Sequence, residues 1–173
     1  MSRSTVDASV VLAWLLGEPR PAWVDETIAA ARAESHTLVA PSLIWMEIGN
    51  RFTRTRGVQE EFALEAMIRA EVLGVECVEL DRPIRLRALQ LAHERGLSMY
   101  DAAYLAVAEA TRTPLLTLDQ RLERAAQAMG LGLGSDTRRI SEQSTPYGDR
   151  AVDQKSIAAI GAALAEMRKE YSL

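Results

Sequence analysis

Four short apolar runs, each followed by helix-forming sequence, constrain this chain more than any other feature. Arg3–Asp7, Thr37–Ala40, Cys77–Leu80 and Leu115–Leu118 have the length and composition of buried strands. Between them the pattern predicts helices over 9–16, 22–34, Ser42 to about Arg56, 59–73, Pro83–Arg95 and Ser98–Ala110, with Asp119–Met129 after the last. Pro19, Pro21 and Pro41 break the chain between segments, Ser42 is placed to cap the third helix, and Gly57 and Gly96 stand at helix C-termini. Strands alternating with helices predict an α/β fold with a parallel sheet covered on both faces. Such sheets hold their ligands beyond the carboxyl ends of the strands. The residues at those ends therefore matter most: Asp7 closes the first run and Asp119 follows the fourth.

The rest of the chain reads differently. Residues 135–150 are polar and broken by Pro146 and Gly148, which predicts a linker. Over 151–173, Ile157, Ile160, Leu164, Met167 and Tyr171 recur at spacings of three and four, the stripe of an amphipathic helix. Such a helix must dock, whether on its own core, on a second subunit or over the active site. The predicted organisation is a domain over 1–134, a linker over 135–150 and a C-terminal helix over 151–173.

Several chemistries are excluded by absences. The first 134 residues hold 14 Arg and no Lys; both lysines, Lys155 and Lys169, lie in the tail. A Walker-type phosphate loop and a Schiff base both need a lysine. Receiver-type phospho-acceptors and haloacid-dehalogenase-type phosphatases need one too, and the latter also want an acid where Ser9 stands. Cys77 is the only cysteine, so neither an internal disulfide nor a cysteine-built metal site is available. His36 and His93 have no second histidine at helical spacing. No apolar run approaches 18 residues and the N-terminus lacks a secretory pattern, so the expected location is cytoplasmic, with no membrane span.

Four acids stand in places that invite two readings. Asp7 and Asp119 each precede a helix and are placed to cap it. Asp101 follows Ser98 by three, a variant of the capping box. Glu47 precedes Arg51 by four, a favourable ion-pair spacing. On the predicted helix Glu47 shares a strip with Asn50 and Arg54, while Ile44, Trp45, Ile48 and Phe52 form the apolar side. Asp101 opens a helix that is apolar nearly all round, so its carboxylate is expected to be buried and to need a partner. Taken together, four carboxylates able to reach one pocket are hard oxygen ligands suited to Mg²⁺ or Mn²⁺. Such ions activate water and offset charge at a phosphodiester, so no protein nucleophile is required. The net charge of −4 is poor for non-specific nucleic-acid affinity. Arg51 and Arg54, with Arg56, could still form a local phosphate-binding strip, or simply a solvated helix end.

Val6-Asp7-Ala8-Ser9, Glu47-Ile48-Gly49-Asn50, Ser98-Met99-Tyr100-Asp101-Ala102 and Thr117-Leu118-Asp119 occur in that order. This series resembles the PIN-domain nucleases, most closely the VapC-type toxins of bacterial type II toxin–antitoxin pairs, over about residues 1–134. The resemblance implies a three-layer α/β/α domain with a central, mainly parallel sheet. It implies a Mg²⁺- or Mn²⁺-dependent endoribonuclease in which Asp7, Glu47, Asp101 and Asp119 carry the metal and Ser9, Asn50 and Thr117 orient them. It also implies an RNA substrate, a homodimer, and a small antitoxin whose peptide covers the active site. Two features depart from it: Gln120 follows Asp119 where some relatives carry an extra acid, and the tail from residue 135 is longer than the resemblance accounts for. The alternative is a non-catalytic PIN-like binding or regulatory module, against which the presence of all four acids argues.

Overall fold

In a computed structural model of the protein, residues 2–133 are described. The elements follow as β1 (Ser2–Val6), α1 (Ala8–Leu15), α2 (Ala22–Arg32), β2 (His36–Pro41), α3 (Ile44–Arg54), α4 (Glu60–Glu71), β3 (Glu76–Val78), α5 (Arg82–Arg95), α6 (Met99–Thr111), β4 (Leu115–Leu116) and α7 (Gln120–Ala128). The strands form one sheet in the order β3-β2-β1-β4, and every pairing is parallel. The expected linker and C-terminal helix lie outside the described residues. No helix among the described residues is long and apolar enough to cross a membrane.

The strand order decides where the helices go. Steps from β1 to β2 to β3 run one way across the sheet, so right-handed crossovers put α1 to α4 on one face. The step from β3 back to β4 runs the other way and puts α5 and α6 on the opposite face. Packing agrees: α1 meets α2, α3 and α4, while α6 meets α5, α7 and the sheet. The chain leaves β1 for one face, and α7 after β4 lies with α6 on the other. Between the carboxyl ends of β1 and β4 is therefore a topological switch point, the place where open α/β sheets form a crevice.

The core explains the layers. Val6, Leu38, Ala40, Leu115 and Leu116 of the sheet are buried, as are Ile44, Ile48 and Phe52 along one side of α3. Every residue of α6 from Ala102 to Val107, and Ala108 after it, is buried. That apolar circumference is what a helix needs when it lies between the sheet and another helix. α5, with only Ala88 and Leu91 fully buried, covers it from outside. The bidentate pair of Arg87 with Glu109 (2.7 and 2.9 Å) ties the two helices at the solvent edge.

Several boundaries differ from those predicted. Ser42 does not cap α3; Leu43 occupies that position and no side-chain cap bond forms. Ser42 is still engaged with the sheet, its N–H donating to Val78 (3.2 Å). The helix ends at Arg54, before Gly57, because Thr55 is already extended. β4 stops at Leu116 rather than Leu118, since Thr117 and Leu118 turn away to serve the site described next.

Candidate active site

Asp7 stands one residue beyond β1, and its N–H still donates to Leu116 (2.9 Å). By position it caps α1, yet its side chain makes no cap bond. Instead Oδ2 accepts the hydroxyls of Ser9 (2.5 Å) and Thr117 (2.8 Å). Each hydroxyl also accepts a backbone N–H: Ser9 from Leu118 (3.0 Å), Thr117 from Asp119 (3.0 Å). A hydroxyl has one proton, so these acceptances commit both protons to Asp7. The carboxylate is thereby fixed, and the β4–α7 loop is laced to it. Asp7 is 8% exposed. Burial raises its pKa, the two hydroxyls lower it, and the charges of Asp101 and Asp119 raise it again.

The other three acids come from three separate helices. Asp119 caps α7, its Oδ1 accepting the N–H groups of Arg121 (2.7 Å) and Leu122 (2.9 Å). Asp101 lies in the first turn of α6, where Ser98 accepts its N–H (3.1 Å) and returns a hydroxyl bond to Oδ2 (2.8 Å). The expectation of a buried Asp101 is corrected: it is half-exposed, because the helix emerges at the sheet's carboxyl end before its apolar stretch begins. The buried carboxylate is Asp7. Glu47 lies in the first turn of α3, and its Oε2 accepts the hydroxyl of Tyr104 from α6. Desolvation pushes the Glu47 carboxyl up to about 7; Tyr104 opposes this, and the charges of Asp7 and Asp101 add to it. Burial, followed by the carboxylates of Asp7 and Glu47, holds Tyr104 firmly protonated.

A common division runs through the four acids. Among the described residues, the side-chain hydrogen bonds fall on one oxygen of each carboxylate: Oδ2 of Asp7, Oε2 of Glu47, Oδ2 of Asp101 and Oδ1 of Asp119. The second oxygen of each takes no side-chain hydrogen bond among those formed by the described residues. Asp101 and Asp119 lie near enough to Asp7, and Asp7 and Asp101 near enough to Glu47, for their charges to raise the pKa of Asp7 and of Glu47. As they stand, no three acidic, histidine or cysteine side chains among the described residues close into a metal cage. The donor set, carboxylate oxygens without His or Cys, has the chemistry of a hard divalent cation's ligands.

The remaining expected residues divide. Ser9 and Thr117 touch Asp7 directly. Asn50 is exposed on α3. Arg51 is turned toward Glu18, which it meets at 3.3 Å, while Arg54 is exposed. Two functional neighbours, Tyr104 and Glu18, lie outside the set expected from the sequence. Tyr104 follows Asp101 by three residues and so shares its side of the helix, a spacing visible in the sequence. Nothing in the sequence marks Glu18. Arg121 reaches across to donate to the carbonyl of Gly96, which ends α5 in the left-handed region (φ 62°), and so joins the start of α7 to the loop carrying Ser98.

This fold and this cleft define a class. Residues 5–128 match the PIN domain family, and the chain belongs to it. Ribonuclease VapC3 of Pyrobaculum aerophilum is 31% identical over 128 residues, covering 72% of this chain and 95% of that protein. A crystal structure of a Pyrobaculum aerophilum protein superposes with a TM-score of 0.56 at 24% identity, covering 82% of this chain and 97% of the other. A toxin–antitoxin complex from Klebsiella pneumoniae gives a TM-score of 0.51 at 16% identity, covering 76% and 96%. The two structures support the fold; the first relative supports kinship along nearly its whole length.

Proposed function

We propose that this protein is a divalent-metal-dependent endoribonuclease and the toxin of a toxin–antitoxin pair. The observation that carries the reading is that Asp101 and Asp119 lie within electrostatic reach of Asp7, and Asp7 and Asp101 within reach of Glu47, each carboxylate having one oxygen hydrogen-bonded. Asp7, Glu47, Asp101 and Asp119 would hold Mg²⁺ or Mn²⁺. Bound there, the ion supplies Lewis acidity, lowering the pKa of water and offsetting negative charge at phosphorus. The chain's own residues supply position. Ser9 and Thr117 hold Asp7 rigid, and the N–H groups of α7 hold Asp119. Asn50, exposed on α3, would help orient the carboxylates, and Arg54, exposed beyond Glu47, is assigned to the approaching RNA. Arg51 reaches it only by leaving Glu18.

The names of the relatives support RNA as substrate and a protein antitoxin as partner. Apolar side chains exposed on α4 (Leu64, Ile68) and α5 (Leu86, Leu89) favour a chain that works against partner surfaces, a second copy and the antitoxin. The test is cleavage of single-stranded and structured RNA in Mg²⁺ and in EDTA, for the wild type and for Asp7→Ala. Activity only in Mg²⁺, abolished by Asp7→Ala, is expected. Cleavage unaffected by that substitution would falsify the assignment, and no cleavage by any form would return the protein to a binding role.

A further inference from the structure

Tyr104 is 1% exposed, deep in the run of α6 that faces the sheet. Its hydroxyl donates to Oε2 of Glu47, on a helix of the opposite layer. One buried phenol, on the helix that carries Asp101, therefore holds the carboxylate that α3 contributes. Ser9 and Thr117 have the corresponding place beside Asp7, and nothing else in the described structure has it beside Glu47.

We propose that Tyr104 is a positioning residue of the metal site: its hydroxyl holds Oε2 of Glu47, leaving Oε1 as the oxygen without a side-chain hydrogen bond and so the one open to an ion. The inference rests on the metal reading above and deepens it. A glutamate has three side-chain torsions and, unheld, samples many positions. Fixing one oxygen removes that freedom before an ion arrives, and partners of this kind are worth about 10–100-fold in metal affinity or activity.

The experiment is a Mn²⁺ titration of the metal-free protein, followed by electron paramagnetic resonance of free Mn²⁺, with no RNA present. Four forms are compared: wild type, Tyr104→Phe, Glu47→Gln and the double variant. Phe keeps the buried ring, and circular dichroism in EDTA checks the fold. Tyr104→Phe should bind Mn²⁺ about 10–100-fold more weakly than wild type. In the Glu47→Gln background the same change should cost less than about threefold, because the amide Tyr104 still holds no longer offers the ion a charged oxygen. In cleavage assays Tyr104→Phe should need correspondingly more Mg²⁺ for half-maximal rate and recover most of the rate at saturation. A residue that only supports packing would weaken both backgrounds equally, and that result overturns the inference, as does wild-type affinity in Tyr104→Phe. If the wild type itself fails to bind Mn²⁺, the metal reading falls and this inference with it. Binding by wild type that is lost in Glu47→Gln but unchanged in Tyr104→Phe removes the inference alone.

Discussion

Replacing Glu47 with Gln should stabilise the metal-free protein while destroying its activity. Burial of Glu47 together with the charges of Asp7 and Asp101 raises its carboxyl from 4.5 to about 7 in the folded state. A group raised on folding favours the fold in its protonated form. Its contribution is therefore most favourable below pH 4.5 and is lost as the pH climbs through about 7. The full rise corresponds to about 3 kcal/mol of ionisation cost at high pH. Glu47 is only half-buried, and water screens part of that cost, leaving about 1–2 kcal/mol. Gln carries no charge and can still accept the Tyr104 hydroxyl. Thermal unfolding in EDTA should show Glu47→Gln more stable by about 3–6 °C at pH 8. At pH 4, where wild-type Glu47 is largely protonated in both states, the difference should vanish. Adding Mg²⁺ should stabilise the wild type more at pH 8 than at pH 5, and the variant little at either. A variant less stable than wild type at pH 8, or a gap independent of pH, would refute the account of this cleft as a strained cluster of like charges.

Two further outcomes follow from the same geometry. Thr117→Val keeps the shape of a buried side chain but removes the hydroxyl that donates to Asp7 and leaves the Asp119 N–H without its acceptor; it should cost about 1–2 kcal/mol of stability and lower cleavage about 10–100-fold, checked by denaturant titration and initial rates. Glu109 behaves oppositely to Glu47: its pairing with Arg87 lowers its pKa, so the stability it adds is present above the unfolded value and lost as the pH falls through the folded one. Glu109→Gln should therefore cost about 0.5–1 kcal/mol at pH 7, the pair being partly exposed, with no effect in strong acid and none on RNA cleavage.

Much of this architecture is legible in the sequence because its signals are local. The alternation of apolar runs and helices carries the parallel sheet, and Pro83, Ser98 and Gly96 mark helix ends that the structure keeps. The departures have distant causes. The apolar pattern predicts that β4 continues to Leu118, but Thr117 and Leu118 are withdrawn from the sheet by hydrogen bonds to Asp7 and Ser9, more than a hundred residues away. Ser42 has the chemistry of a cap, and the backbone bond from Ser42 to Val78 keeps it with the sheet instead. The pairing of Arg51 with Glu18 joins residues 33 positions apart, with no periodicity to announce it. Burial, too, falls on a different acid: helix composition points to Asp101, whereas the switch point between β1 and β4 buries Asp7.

For Asp7, Asp101 and Asp119 the sequence poses a choice between helix cap and ligand, and the two roles do not exclude each other. A carboxylate has two oxygens. Asp119 gives Oδ1 to the N–H groups of Arg121 and Leu122, which fixes the side chain without occupying Oδ2. On the proposed function, the cap would hold the side chain while the other oxygen meets the ion. Two substitutions separate these contributions. Asp119→Asn retains an oxygen for the cap and loses the charge, so its stability should stay within about 0.5 kcal/mol of wild type, while Mn²⁺ affinity and RNA cleavage collapse. Asp119→Ala loses both, and its stability should fall by about 0.5–2 kcal/mol more. Measured side by side by thermal unfolding in EDTA and by Mn²⁺ titration, the two variants should differ in the first and agree in the second. If Asp119→Asn binds Mn²⁺ like the wild type, Asp119 is a cap and nothing more, and the metal set must be drawn from the other three acids.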